Sequence, residues 1–257
     1  MADPGNTLNQ PRQPEYGRAP AFGDLAPLVD RAALWVALRQ DAFEHRLEQF
    51  GDWRWDMNVQ AARLTFTSTA DPSRRIETKG DLIASIAPGP RSLLWAWALP
   101  HVPSTAPAHL LRAHGETTGP RILAQAEVPF PELGGEDPGD FAKRAAQDVG
   151  VAACELLGRA PFFAPSPGGG TRAVIVLDTP VEPLTVQDAV VALPRLLASG
   201  VLRDPRTAVW GLARHAGWQL AWDGPDFTAA SVTDGSVSAR FSFDRWGRIT
   251  QFGLQTS

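Results

Sequence analysis

Two short segments are apolar on both faces of any extended chain, and they constrain this sequence most. Residues 92–98 read Ser-Leu-Leu-Trp-Ala-Trp-Ala and residues 173–177 read Ala-Val-Ile-Val-Leu. A strand with one wet face alternates apolar and polar side chains, so a run without alternation predicts an interior strand covered on both sides. Residues 93–99 are therefore expected to form a central strand that places Trp95 and Trp97 on one face. Residues 63–67 (Arg-Leu-Thr-Phe-Thr) do alternate, as on a half-buried strand. Between these, residues 75–86 are broken by Lys79, Gly80 and Asp81, which predicts two short strands joined by a turn, or one strand with a bulge.

Helices are expected around this sheet. Leu25, Leu28, Ala32, Trp35, Phe43, Leu47 and Phe50 recur at three- and four-residue steps, with Asp24 as the expected cap. Thr105 or Ser104 suits the cap of a short helix through Leu110 and Leu111, with Gly115 as its stop, followed by a strand over residues 122–128. Asp137 and Pro138 open a second long helix, Phe141, Ala145, Val149, Ala152 and Leu156 form its stripe, and Gly158 fits its C-terminal end. Thr185 opens a further helix that Gly200 closes, and Asp204 with Pro205 opens another that Gly217 closes. Alternation over residues 218–222 and 237–243, with a last strand near 249–254, predicts a closing antiparallel meander. The fold class is α+β: a mainly antiparallel sheet packed by helices, with a C-terminal helix pair and β-meander. Four prolines among residues 1–22 predict a disordered tail. Pro180 and Pro183 exclude both helix and interior strand, dividing residues 23–180 from a smaller unit, 181–257, docked on it.

With 44% hydrophobic and 20% charged residues, a packed core is expected, and a net charge of −4 gives no basic field for a phosphate backbone, so nucleic acid is not an expected partner. No apolar stretch reaches the roughly 20 residues of a membrane span, and the first residues lack the basic start and apolar run of a secretory signal. The single cysteine, Cys154, cannot pair within the chain, which points to the cytoplasm. Only Lys79 and Lys143 supply lysine while arginine, alanine and proline abound, a bias of GC-rich bacterial genomes.

Asp52-Trp53-Arg54-Trp55-Asp56, the strand around Leu64 and Phe66, residues 83–86, the Trp-Ala-Trp-Ala segment and His114-Gly115-Glu116 follow one another in an order that resembles an uncharacterised bacterial domain family. Its members combine a leading helix with a Trp-rich strand. The resemblance covers roughly residues 24–177, although Ala84 and Leu99 depart from the glycine and asparagine that the family favours there. It implies an α+β domain and no activity.

Among candidate site residues, His114 and Glu116 pair an imidazole with a carboxylate, as general acid–base work requires, yet a histidine beside a helix stop also suits the helix dipole with no catalytic role. Asp56, with Asp52, flanks a Trp-x-Trp pair that suits a sugar or cation, although aspartate is equally a turn former. Trp95 and Trp97 form either core or an exposed aromatic groove. Cys154 has no basic partner in its helix and reads as core. Five histidines without ligand spacing and one thiol predict no metal, and the triple glycine at 168–170 precedes a strand rather than a helix, against a phosphate loop. No cofactor and no catalytic residue are assigned. The expected function is a non-enzymatic binding or interaction protein, accessory or immunity-type, with a protein partner; a small-molecule sensor or carrier with a pocket between the sheet and the first helix is the alternative, and a hydrolase using His114 and Glu116 the third.

Overall fold

The computed structural model describes residues 19–255 apart from 101, 104 and 181, and the first regular element among these begins at residue 23. The expected tail over residues 1–18 lies outside the described residues. Ala21 and Phe22, included in that tail reading, are buried: the Ala21 N–H donates to Asp148 Oδ2 at 2.5 Å, and the Phe22 ring stands edge-on to Phe141. A 3-10 turn, Gly23–Leu25, leads into α1 (Ala26–Glu48). Asp24 falls inside that turn and caps nothing; the residue before α1 is Leu25, without a side-chain cap, and burial of Leu28, Ala32, Trp35 and Phe43 on α1 stabilises the helix instead.

A seven-stranded antiparallel sheet follows, built from β1 (Trp53–Asn58), β2 (Arg63–Ser68), β3 (Arg75–Ala87), β4 (Ser92–Trp95), β5 (Glu127–Pro129), β6 (Phe162–Phe163) and β7 (Arg172–Asp178). Strand β3 is its axis, pairing with β2 over residues 75–79, with β4 over 84–87 and with β7 over 79–86. Of the two readings of residues 75–86, the single strand with a bulge is found, the register with β7 shifting between Leu82 and Ala84. Gly80 sits at the crowded crossing: a Cβ there would stand 2.9 Å from the Ile175 side chain.

Around the sheet lie α2 (Ala106–Thr117) and α3 (Pro138–Leu157). Asp137 caps α3 by accepting from the Gly139 and Asp140 N–H groups, and Gly158 ends it in the left-handed conformation, as its sequence predicts. In α2 the cap is Thr105 without a side-chain bond, and Ser104 lies outside the described residues. Gly115 does not stop α2, which runs to Thr117. It is glycine because a Cβ would meet the Ala124 N at 2.8 Å. The strand expected over residues 122–128 is instead a 3-10 turn, Arg121–Ala124, followed by the short β5.

The remaining elements are α4 (Val186–Ala198), opened by a reciprocal Thr185–Asp188 capping box, α5 (Pro205–Ala216), capped by Asp204, and a four-stranded meander of β8 (Gln219–Trp222), β9 (Ala229–Thr233), β10 (Ser238–Phe243) and β11 (Ile249–Gln255) in the order β11-β10-β9-β8. Five helices and two antiparallel sheets among the described residues make the fold α+β. Buried side chains of α4, α5 and β10, among them Leu193, Leu212 and Phe241, join Leu28, Trp35 and Val149 in one contiguous core. Helices α1 and α5 approach closely at Gly211 of α5, where a Cβ would stand 1.7 Å from the Arg31 carbonyl oxygen of α1.

Candidate functional site

The expected aromatic face does not form. Strand β4 ends at Trp95, and residues 96–98 turn as a 3-10 helix, so Trp95 and Trp97 do not share a sheet face. An apolar run cannot by itself separate a buried strand from a buried helical turn. Only the first part of that run is strand, held between β3 and β5. Trp95 is 1% exposed and its indole N–H donates to the Ile122 carbonyl at 2.9 Å, which makes it core. Trp97 is half-buried beneath the Arg112 guanidinium, 4.8 Å from the ring centre. Asp56 lies in the middle of β1, opposite Thr65, with its side chain exposed; Trp53, Trp55 and Met57 share the half-buried face.

His114 and Glu116 also diverge. Two residues on a helix point about 200° apart, and each has its own partner: Glu116 pairs with Arg112 at 2.8 Å, while His114 Nδ1 lies 3.3 Å from the Thr118 hydroxyl. Cys154 is fully buried, and burial pushes its thiol well above the usual range, away from the reactive thiolate. Among the described residues no group of three or more His, Cys, Asp or Glu side chains is placed to hold a metal ion.

What the fold does build is a groove between α1 and α3, of about 930 Å³. Val29, Ala33, Val36 and Gln40 recur at helical spacing along one face of α1, and Lys143, Gln147 and Val151 do the same on α3. Alanine at positions 33, 37 and 146 keeps the facing helices short-sided and leaves room between them. The groove is completed by Phe162 and Ala164, by Arg172 at the start of β7, and by residues 199–203 after α4. Phe162 is locked in place: its N–H donates to Gln40 Oε1 at 2.9 Å, and its ring lies over Gly150, where a Cβ would come within 2.4 Å. Arg172 stands two and four residues from Val174 and Val176, hence on the same face of β7.

A second polar cluster lies at the α1–α3–α5 seam. Glu155, with a side chain 3% exposed, accepts from Arg31 Nε at 2.7 Å and from Arg214 at 2.6 Å, and meets His215 Nε2 at 2.6 Å. The His215 ring is stacked on Trp35 with centroids 4.0 Å apart. Burial opposes ionisation of Glu155, but the His215 and Arg31 hydrogen bonds and the Arg214 charge outweigh it and hold the carboxyl down at about 2. Three hydrogen-bonded partners from two other helices make this a structural clamp across the seam.

Sequence reasoning missed both Arg172 and the Glu155 cluster. For Arg172 there was a signal, since it occupies the inward register of a strand that is otherwise apolar. For Glu155 there was none, as its partners are 124, 59 and 60 residues away.

The architecture is thus that of an α+β protein on two antiparallel sheets, with a groove between its first and third helices and no helix among the described residues long and apolar enough to cross a membrane. The chain belongs to DUF6882, a family of unknown function, whose model matches residues 26–180. That span runs from the first residue of α1 to two residues beyond β7, so it contains most of the groove but neither α5 nor the meander. No curated protein and no solved structure matches the chain.

Proposed function

We propose that this chain is a non-enzymatic binding protein of the bacterial cytoplasm, a carrier or sensor that takes a small molecule into the groove between α1 and α3. The groove itself carries the reading. At about 930 Å³ it falls at the upper end of the range of about 300–1,000 Å³ typical of small-molecule sites. Apolar side chains of α1, α3 and Phe162 share its walls with twelve polar or charged residues among those described, which supply both apolar surface and groups that fix a ligand's orientation. A flat aromatic patch for a protein partner is disfavoured by the positions of Trp95, sunk in the core, and Trp97, covered by Arg112. Hydrolysis is disfavoured by the divergence of His114 and Glu116. The bacterial and cytoplasmic parts of the proposal rest on the two lysines and the single cysteine.

The test uses a neutral apolar fluorophore, 1-aminoanthracene, titrated against the full chain. Saturable binding is expected, lost in Ala37→Trp, which fills the groove, and kept in Trp97→Ala. Circular dichroism and the urea midpoint confirm that each variant is folded. Equal binding by Ala37→Trp and the unaltered chain overturns the proposal.

A further inference from the structure

We infer that the ligand of this groove is a monocarboxylate with an apolar body, its carboxylate held by the guanidinium of Arg172; this rests on the small-molecule reading above. The argument is an account of the charges around the groove. Arg203 pairs with Asp30, Arg144 with Glu136 at 2.5 Å, and Lys143 with Asp140 at 2.8 Å. Asp137 accepts from backbone N–H groups at the α3 cap and Asp148 from the Ala21 N–H, and both keep their negative charge. Arg172 is the remaining cation of the lining, and no ion pair or hydrogen bond engages it among the described residues.

Its Nε is, in addition, buried with no acceptor. A buried donor left unpaired carries a desolvation cost that native proteins rarely tolerate without a reason such as a bound group. The position is also costly to explain as surface chemistry, because Arg172 shares its strand face with Val174 and Val176, both fully buried. A guanidinium presents two parallel N–H donors that match a planar carboxylate. Arg172 has no ion-pair partner among the described residues, while the described lining as a whole carries five acidic and four basic side chains. A single negative charge seated on Arg172 is therefore opposed less than the two charges of a phosphate dianion, and a monocarboxylate fits better. Beyond the headgroup, Val29, Ala33, Val36, Val151 and Phe162 offer apolar surface to the rest of the molecule.

The experiment displaces 1-aminoanthracene from the full chain with octanoate, octanol and octylammonium, which share a tail and differ in headgroup charge. Octanoate is expected to compete at least tenfold better than octanol, with octylammonium weakest. Arg172→Gln is expected to abolish the octanoate advantage and leave octanol unchanged, while Arg172→Lys, which keeps the charge without the fork, recovers part of it. Equal competition by octanoate and octanol in the unaltered chain overturns the inference, whatever the variants do, and so does an octanoate advantage that survives in folded Arg172→Gln. In either case a fluorophore that still binds and is still excluded by Ala37→Trp leaves the groove reading standing. A fluorophore that never binds removes both.

Discussion

The Glu155 carboxylate on α3 and the His215 imidazole on α5 meet at 2.6 Å, bringing together residues 60 positions apart and joining the region matched by the family to the region beyond it. Arg31 of α1 closes the same cluster, and Trp35 lies flat against the imidazole. Three helices are thus fixed to one buried carboxylate. A buried charge gains stability only when its partners outweigh its lost hydration. Here the direction of the Glu155 shift says that they do.

Acid should therefore dismantle this seam within a defined window. The folded-state value is about 2, against an ordinary 4.5. A depressed carboxylate contributes stability that is fully present above the unfolded value and is lost as pH falls through the folded one. Glu155→Gln is expected to cost about 2 kcal/mol at pH 7, below the ~3–5 kcal/mol of a fully buried broken pair, because Arg31 and Arg214 partly reach water. In urea titrations the gap between the two proteins should hold above about pH 5 and narrow between 4.5 and 2. A gap unchanged at pH 2.5 contradicts the assignment.

The contact of α5 with α1 predicts a second, sharper effect. A methyl group on Gly211 meets a backbone carbonyl, which cannot swing aside as a side chain does. Gly211→Ala should destabilise by about 3 kcal/mol or more, at the upper end of overpacking costs. Gly253→Ala on β11, with nothing among the described residues within 4 Å of the added carbon, should stay within about 0.5 kcal/mol. Comparable denaturant midpoints for the two variants would contradict the close packing.

Local signals were legible wherever one residue type does one job. Asp137, Pro138 and Gly158 mark both ends of α3, and Thr185, Asp204 and Gly217 mark α4 and α5, because caps and left-handed turns are decided within a few residues. Gly115 misled for a tertiary reason: it yields space to Ala124, a demand that no neighbour in sequence announces. Strand β9, Ala-Ala-Ser-Val-Thr, passed unnoticed because its small residues carry little alternation. The groove and the Glu155 cluster were invisible because each is assembled from segments more than fifty residues apart, where spacing rules have no reach.

The two tryptophans of the Trp-Ala-Trp-Ala segment should respond differently to the same change. Trp95→Phe leaves the Ile122 carbonyl without its donor and opens a gap around a side chain that is 1% exposed, for an expected loss of about 2–3 kcal/mol. Trp97→Phe removes an indole N–H that has no partner among the described residues and keeps a ring beneath Arg112, so its cost should be under about 1 kcal/mol. Equal losses would mean that the segment continues as a strand with both rings on one face.

Truncation after Pro180 tests whether the family-matched region is self-sufficient. The cut removes Gly211 from its seat on Arg31, His215 from Trp35, and two of the three side-chain partners of Glu155. It also uncovers α1, whose Trp35 and Leu28 share a core cluster with Leu193, Leu212 and Phe241. Removing buried apolar cover costs about 25 cal/mol per Å² of newly exposed apolar area, which accumulates quickly over an interface made by two helices. Glu155 is left buried with Arg31 alone, a weaker compensation for the same lost hydration. The fragment is expected to unfold at lower urea, to bind a hydrophobic dye that the full chain does not bind at that seam, and to lose the acid-dependent step between pH 4.5 and 2. To keep groove binding out of the comparison, the dye is read in the Ala37→Trp background. A fragment with an unchanged midpoint and no added dye binding would show that residues 181–257 contribute nothing to the stability of the rest.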